Sequence, residues 1–342
     1  MSERSCAMSL NFISPGLLTT IQDLGRHGFR KAGVSVSGAM DPFALRVANL
    51  LVGNEEGEAG IEITLKGPKI FFTERRLIAI TGADLSPALN GQPVKGWRPL
   101  LVPEGSILEF GSPLSGCRAY IAVAGGFDLP SVMGSNATYL RAGIGGLNGR
   151  ALQLGDSIPC RPLPAKMEAF LRSLTRAQLE QPGAQTNWSV DLSLHVAYHE
   201  PQQIRVIKGP EYQLFSEQSQ QDFWGMAYQV TAQSDRMGYH LLGTRLALAA
   251  PADMVSSAVT FGTVQVPPEG SPIVLMADHQ TTGGYPRIAQ VVSADFPKLA
   301  QLVPRHKVLF KEVTLEEAQA LYIIQEQNLE KLRGGLHFKT HI

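Results

Sequence analysis

Short apolar or mixed runs, separated by glycine and proline, predict strands throughout the first half of the chain. Leu77–Thr81 and Ala119–Ala124 are almost wholly apolar, as expected of strands buried on both faces. Ser106–Phe110 shows a strand-like mixture of apolar and polar positions. Short strands at close spacing, with turn residues between them, are typical of a β-barrel or β-sandwich. We therefore predict a mainly β fold with minor α content.

Three segments carry the signals of a helix. Asp41 followed by a proline is typical of an N-cap, and Gly53 stands where that helix should end. Residues 165–181 have helical composition and precede a Pro-Gly pair. Thr314–Glu317 matches a capping box, and the glycine pair at 334–335 predicts the end of that helix.

The length of the chain and one polar stretch predict two domains. A chain of 342 residues corresponds to two domains at about 150 residues each. Residues 182–203 are polar, precede the strand-like Ile204–Ile207, and form the candidate linker. We place the boundary near residue 190, which gives domains of residues 1–190 and 191–342.

Charge and composition exclude several classes of protein. Thirty Lys and Arg balance thirty Asp and Glu, and this net charge of zero argues against a nucleic-acid-binding surface. Hydrophobic residues make up 44% of the chain, enough for a sizeable core. No apolar run approaches the roughly 18 residues of a membrane helix, and none has the form of a signal peptide.

Cysteine and glycine patterns argue against several cofactors. Cys6, Cys117 and Cys160 form no CxxC pair, which predicts a cytoplasmic protein without disulfides or a zinc site. The sequence contains no GxxxxGK[ST], HExxH or GxSxG, and the glycine-rich stretch 143–149 does not match GxGxxG. Lys166 lacks the preceding methionine of a biotin acceptor. We therefore predict neither metal nor biotin on this chain, and the sequence carries no ATP-site signature.

The first cluster of candidate chemistry lies in a turn near the N-terminus. Gln22, Asp23 and Arg26 place an amide, a carboxylate and a guanidinium beside a glycine. A guanidinium binds a substrate carboxylate through two charge-assisted hydrogen bonds. The alternative is an Asp–Arg pair that only stabilises the turn, and both readings stay open.

Two further clusters lie at predicted turns. Ser37 and Gly38 present a hydroxyl and a backbone N–H just before a predicted helix, a position suited to anions. Ser234, Asp235 and Arg236 again join an acid and a base.

The most unusual polar segment follows the apolar run Ile273–Ala277. Asp278 or His279 is a candidate general base, and the following Gln280 and two threonines are suited to orient a substrate. The glycine pair at 283–284 allows two backbone N–H groups to form an oxyanion-binding nest. We predict Asp278, His279 and Gln280 as catalytic residues. The predicted substrate-binding residues are Gln22, Asp23, Arg26, Ser37, Ser234, Asp235, Arg236, Thr281, Thr282, Gly283, Gly284 and Tyr285.

From about residue 10 to residue 312, the sequence resembles the KipA-like family. This family is also described as the C subunit of 5-oxoprolinase, allophanate hydrolase subunit 2-like, or biotin-dependent carboxyltransferase. The matching segments, in family order, are GLLTTIQDLGR (16–26), SGAMDPFALRVANLLVGN (37–54), ITGADL (80–85), YIAVAGG (120–126), GSNATYLRAGIGGLNGRAL (134–152), SDRMG (234–238), VQVPPEGSPIVLMADHQTTGGYPRIA (264–289) and LAQLVP (299–304). The tail after Lys311 departs from the family pattern.

The resemblance implies cyclophilin-like β-barrel units in two barrel-like halves, with a barrel and a terminal helix in 191–342. It also implies a heteromeric complex with a KipI-like protein, its B subunit, and a LamB/YcsF-like protein, its A subunit. That complex hydrolyses 5-oxoproline (pyroglutamate), a small carboxylated substrate, to glutamate and uses ATP. The ATP site lies either on this chain or on a partner protein. Two alternatives stay open. One is an antagonist of the KipI-like inhibitor of a sporulation histidine kinase, and the other is a carboxyltransferase-type component acting on urea or an amide.

Overall fold

The structure is mainly β, as the sequence predicts. The computed structural model describes residues 9–173, 184–191, 194 and 200–340. The chain divides into two compact units. The first comprises Met1–Gly25, Asp41–His195 and Asn328–Ile342, and the second comprises Arg26–Met40 and Val196–Gln327.

The first unit contains two six-stranded sheets. Its strands are β1 (Ser9–Ser14), β2 (Leu18–Gln22), β3 (Gly60–Thr64), β4 (Lys69–Phe72), β5 (Arg76–Asp84), β6 (Pro87–Leu89), β7 (Gln92–Pro93), β8 (Pro99–Val102), β9 (Ile107–Phe110), β10 (Ser115–Val123), β11 (Ser157–Pro159) and β12 (Ala184–Gln185). One sheet has the order β11-β1-β4-β9-β6-β7 and the other β12-β8-β5-β10-β3-β2. The strands predicted at 77–81, 106–110 and 119–124 are confirmed as β5, β9 and β10.

The two sheets of the first unit bury one shared apolar core. Ile61 and Ile63 of β3 and Ile80 of β5 belong to it, together with Phe12 and Phe72 from the other sheet. Because side chains alternate along a strand, the residues between these isoleucines face the opposite side of their sheet.

The second unit is built around a closed seven-stranded barrel. Its strands are β13 (Gln202–Lys208), β14 (Tyr228–Val230), β15 (Gly238–Leu242), β16 (Ser257–Ala258), β17 (Thr263–Gln265), β18 (Ile273–Leu275), β19 (Thr282–Gly283), β20 (Arg287–Val291) and β21 (Lys307–Glu312). The barrel order is β13-β20-β17-β18-β15-β14-β21, and β16 pairs with β19 as a separate ribbon. Its apolar interior includes Phe223 stacked on Phe310, with ring centroids 4.7 Å apart.

Five α-helices complete the described residues: α1 (Pro42–Leu51), α2 (Ala165–Ser173), α3 (Glu217–Gly225), α4 (Phe296–Ala300) and α5 (Leu315–Thr340). Short 3-10 helices span Arg30–Ala32, Tyr212–Leu214 and Ser293–Asp295. None of these helices has the length and apolar character needed to cross a membrane.

The cap signals predicted two of these helices well. Asp41 caps α1 by accepting a hydrogen bond from the Ala44 N–H at 2.9 Å. The capping box of α5 is present, since Thr314 Oγ1 accepts from the Glu317 N–H and Glu317 Oε2 accepts from the Thr314 N–H, at 3.1 and 2.8 Å. The predicted end of α5 at 334–335 is wrong, because the helix continues to Thr340. Its two glycines stay helical there, since glycine lowers helix propensity by only about 1 kcal/mol.

Described parts of the predicted linker at 182–203 pair with neighbouring strands, and the linker itself stays a prediction. Ala184 and Gln185 pair with β8 as strand β12, and Val190 donates its N–H to the Trp97 carbonyl. The last two residues of the stretch already belong to β13. Cys6 and the second half of the helix predicted at 165–181 lie outside the described residues. The boundary placed near residue 190 stays a proposal, and segments 26–40 and 328–342 are grouped across it.

Candidate functional site

Antiparallel pairing in the barrel brings two of the predicted polar clusters together. Gly238 of β15 lies opposite Leu275 of β18. In an antiparallel pair, the start of one strand lies beside the end of the other. The residue just before β15 therefore lies beside the residue that follows β18. Accordingly, the Asp278 N–H donates to the Arg236 carbonyl at 2.8 Å.

A buried ion pair stands at this end of the barrel. Arg236 donates from Nε and Nη2 to the two carboxylate oxygens of Asp278, at 2.9 and 3.0 Å. Ser37 Oγ donates to Asp278 Oδ1 at 2.5 Å, and Arg236 Nη2 also donates to the Gly38 carbonyl at 2.6 Å. Each charged side chain is only 5% exposed. We call Ser37, Gly38, Arg236 and Asp278 the barrel-end cluster.

Local backbone geometry explains how Ser37 and Gly38 reach the ion pair. Ser37 has φ of 59° and Gly38 has φ of 90°, so two consecutive residues adopt left-handed conformations. A non-glycine residue rarely takes this conformation unless its surroundings stabilise it. Here the serine hydroxyl and the glycine carbonyl each gain a charged hydrogen-bond partner.

His279 is held beside the cluster by its backbone and its ring. Its carbonyl accepts a hydrogen bond from Ser35 Oγ at 2.8 Å, and its ring Nδ1 lies 2.6 Å from the Gln280 carbonyl oxygen. Because a carbonyl oxygen only accepts, Nδ1 carries the proton. Burial lowers the pKa of His279, the Arg30 charge lowers it further, and the Gln280 carbonyl and Asp278 oppose this. The neutral ring therefore carries its lone pair at Nε2.

The rest of the polar segment does not form the expected oxyanion nest. Gly283 lies in strand β19, paired with Ser257, and neither glycine of the pair at 283–284 has a left-handed φ. A nest of successive N–H groups needs alternating right- and left-handed residues, which this extended strand lacks. Gly284 and Tyr285 instead line a cleft of about 650 Å³ together with residues 246–254 and Pro267. Tyr285 is 45% exposed there.

Ser234 and Asp235 stabilise the turn that precedes β15. Asp235 Oδ1 accepts from the N–H groups of Met237 and Gly238 at 2.7 and 3.2 Å, and Ser234 Oγ accepts from the His240 N–H at 3.1 Å. Of this predicted trio, only Arg236 takes part in the barrel-end cluster.

Gln22 and Asp23 make their hydrogen bonds within the first unit. Asp23 accepts from the N–H groups of Gly25 and Asn136 and from Ser135 Oγ, at 2.6 to 2.8 Å. Gln22 Nε2 donates to the Thr138 carbonyl at 3.0 Å. Asp23 therefore stabilises its own turn through Gly25 and binds residues 135–136, whereas its pairing with Arg26 stays a prediction.

Arg26, at the start of segment 26–40, belongs to the second unit and is 0% exposed. Its backbone N–H donates to the Val36 carbonyl at 2.8 Å. The carboxylate-binding role of Arg26 stays a prediction.

Sequence reasoning missed two residues beside His279 and a second buried network. Ser35 was detectable, since it stands two positions before Ser37, whereas Arg30 carries no sequence signal. In the first unit, the Asp41 N–H donates to the Tyr120 hydroxyl and that hydroxyl donates to Glu62 Oε2, both at 2.8 Å. Burial, and then the charges of Glu62 and Asp41, raise the pKa of Tyr120 well above its ordinary value.

We call Glu62, Tyr120 and the Asp41 backbone the sheet network. A polar residue between two isoleucines of β3 was its sequence signal. Glu62 and Tyr120 are cross-strand partners on β3 and β10. Among the described residues, no three His, Cys, Asp or Glu side chains are grouped as a metal site would require.

Comparison with known proteins places these features in one family. The model of the carboxyltransferase domain, subdomain A and B, matches residues 32–312. The chain is 42% identical over 330 residues to the C subunit of 5-oxoprolinase from Escherichia coli (strain K12), covering 96% of this chain and 99% of that protein. It is 40% identical over 314 residues to the C subunit of 5-oxoprolinase from Haemophilus influenzae, covering 92% of this chain and 94% of that protein.

A solved structure supports the same assignment. The crystal structure of the K. lactis urea amidolyase matches 95% of this chain with a TM-score of 0.85 and 28% identity. This chain spans only 20% of that protein. The motifs, the family model and the full-length relatives agree, and the chain belongs to the family of the carboxyltransferase domain, subdomains A and B.

Proposed function

We propose that the chain is a subunit of an ATP-dependent 5-oxoprolinase that hydrolyses 5-oxoproline to glutamate. The observation that carries this proposal is the 42% identity, over 96% of this chain, to a protein named as the C subunit of 5-oxoprolinase. A protein of that kind works within an assembly, and its proposed partners are a KipI-like protein, the B subunit, and a LamB/YcsF-like protein, the A subunit. The free thiols of Cys117 and Cys160 fit the reducing cytoplasm.

The proposed reaction uses ATP because a lactam amide is a poor electrophile. Phosphorylation of the lactam oxygen activates the ring carbon toward water. The net change adds one water across the lactam C–N bond and one water to ATP, which gives glutamate, ADP and phosphate. ATP is proposed as a substrate of the complex as a whole, and a site on a partner protein and a site on this chain both stay open. Activity is accordingly expected only in the complex.

His279 is the best-placed proton acceptor among the three predicted catalytic residues. Both carboxylate oxygens of Asp278 already accept hydrogen bonds from Arg236 and Ser37, so this carboxylate is a structural anchor. A neutral imidazole with its lone pair at Nε2 is suited to take a proton from an attacking water. Gln280, Thr281 and the cleft at Tyr285 then remain the proposed substrate-binding elements.

Reconstitution tests the proposal. The three proteins are co-purified, and glutamate and phosphate release from 5-oxoproline and ATP are measured with and without this chain. Activity is expected only with all three. His279→Gln should lower the rate by about 10²–10⁴-fold, the usual contribution of a general base. His240→Gln, in the same barrel, is the matched control. Undiminished activity without this chain contradicts the proposal.

A second candidate function is carboxyl transfer to urea or an amide. The family description and the TM-score of 0.85 to a urea amidolyase favour it. Carboxybiotin on a separate carrier protein would supply the carboxyl group. Transfer of labelled carboxylate from such a carrier to urea, without glutamate release from 5-oxoproline, would select this function over the first.

A further inference from the structure

Segment 26–40 supplies three of the hydrogen bonds that hold the loop after β18. Ser37 and Gly38 bind the Arg236–Asp278 pair, and Ser35 binds the His279 carbonyl. Within the same unit, Arg30 Nη2 donates to the Val259 carbonyl and, at 3.4 Å, to the Thr281 carbonyl. One short segment thus contacts the loop on both sides of His279.

We infer that Ser35 and Arg30 are positioning residues for His279, which acts as the proton acceptor through Nε2. This inference rests on the proposed function. Neither residue stands among the predicted site residues, and neither is expected to contact the substrate itself.

The contact from Ser35 fixes the backbone of His279. The His279 N–H donates to the Met276 carbonyl at 3.1 Å, and its carbonyl accepts from Ser35 Oγ. Both sides of the residue are therefore tied to the unit, and Ser35 is only 2% exposed. With the backbone held this way, the hydrogen bond from the ring Nδ1 to the Gln280 carbonyl keeps the ring in one orientation, which general-base catalysis requires.

The contact from Arg30 fixes a positive charge beside the loop. The Thr281 carbonyl accepts from both Arg30 and the Val259 N–H, so the guanidinium is anchored to two backbone segments. Two other charged groups lie at this loop, Asp278 and Arg236, and they form an ion pair. The Asp278 charge raises the pKa of His279, whereas the Arg30 charge lowers it in the same direction as burial. Removing this charge should make the ring easier to protonate.

The first test measures the ring directly in the full-length chain. Nitrogen-15 NMR of histidine-labelled protein, with the signal assigned by its loss in His279→Gln, reports the tautomer and its titration. We expect the Nδ1–H tautomer and, in Arg30→Met, a titration moved to higher pH. Arg30→Lys keeps the charge and should titrate as the parent protein does. Lys31→Met removes a neighbouring exposed charge and is the matched control.

The second test measures catalysis in the reconstituted complex. Arg30→Met should lower kcat/KM by a larger factor at pH 6 than at pH 8, whereas a merely structural role would lower it equally. Ser35→Ala should lower kcat about tenfold with KM unchanged, because a displaced base loses its alignment. Ser35→Thr retains the hydroxyl and should restore much of this loss.

The outcomes separate the two proposals. An Nε2–H tautomer, or a titration unchanged in Arg30→Met, overturns the positioning inference even in an active complex. Parent-like kcat in Ser35→Ala overturns it for that residue. An inactive complex with the expected NMR behaviour instead refutes the 5-oxoprolinase proposal and leaves the assigned ring geometry standing.

Discussion

The barrel-end cluster and the sheet network are both buried and charged, yet they are held in different ways. In the sheet network, Glu62 and Tyr120 stand opposite each other on paired strands, and the Asp41 N–H comes from the start of α1. In the barrel-end cluster, all contacts come from loops: the turn before β15, the segment after β18 and the left-handed pair at 37–38.

This difference indicates which of the two buried networks is suited to a functional role. Groups on paired strands are fixed by backbone hydrogen bonds, so we expect the sheet network to serve the fold. The loop groups here are held by side-chain as well as backbone hydrogen bonds, and functional residues concentrate on such loops. The barrel-end cluster also continues along the chain into the polar segment, whose last residues, Gly284 and Tyr285, line a cleft.

The largest expected loss of stability follows from a substitution in the barrel-end cluster. Asp278→Asn removes the charge partner of a buried arginine, and loss of one partner of a buried pair costs about 3–5 kcal/mol. Hydrogen exchange of peptides from the barrel strands should show this loss of stability, while peptides of the first unit should change little. Asp235→Asn, at an exposed turn position that an asparagine also suits, should change stability by less than about 0.5 kcal/mol. An equal loss of stability in Asp278→Asn and Asp235→Asn would contradict the distinction between the buried ion pair and the exposed turn.

The next largest loss of stability is expected from a substitution in the sheet network. Tyr120→Phe removes two buried hydrogen bonds and should destabilise the first unit by about 1–3 kcal/mol. The same hydrogen-exchange measurement should now show the change in β3 and β10 and not in the barrel. Because this network is assigned to the fold, kcat of the reconstituted complex should stay at the parent value at a temperature where the variant is folded. A large drop in kcat would show that the sheet network also has a functional role.

A smaller effect is expected from Ser35→Ala. The lost hydrogen bond joins two neutral groups and should cost about 1 kcal/mol of stability. Chemical denaturation followed by tryptophan fluorescence measures it. Compared with Tyr120→Phe, this variant should be less destabilised but lose more activity. The reverse order would break the distinction between loop and sheet networks.

The smallest effect appears only on acidification. Since the pKa of His279 is lowered in the folded protein, the unfolded chain binds more protons as the pH falls below about 6.5, and stability falls with it. The stabilities of the parent and His279→Gln measured at pH 8 serve as the reference for each protein. At pH 5.5 the parent should have lost more of its stability than the variant. Parallel pH profiles for the two proteins would show that the ring does not titrate as described.

Local signals predicted the elements well and the site less completely. The proline after Asp41 and the Thr314 capping box predicted two helix starts, because capping depends on residues within one turn of helix. The end of α5 was not predictable from its glycines, since the neighbouring Leu336 is buried in the apolar core of the first unit and tertiary packing overrides propensity.

The polar segment at 278–285 was recognisable from sequence because so many hydrogen-bonding side chains follow one apolar strand. Its division into two parts was not. Asp278 and His279 are buried among Arg236, Ser35 and Ser37, while Tyr285 is exposed at a cleft. The sequence showed each group but not its partner, because the partners of Asp278 lie 42 and 241 positions away.

The amino-acid sequence alone established the composition, the spacing of the strands, the helix caps and the family motifs. The strands and caps depend on residues that are close together in the sequence. The pairing of Arg236 with Asp278, the grouping of segment 26–40 with the barrel and the role of Asp23 at a turn came from the folded chain. Such contacts join residues far apart in sequence, and they form only when strand pairing and burial bring those residues to the same place.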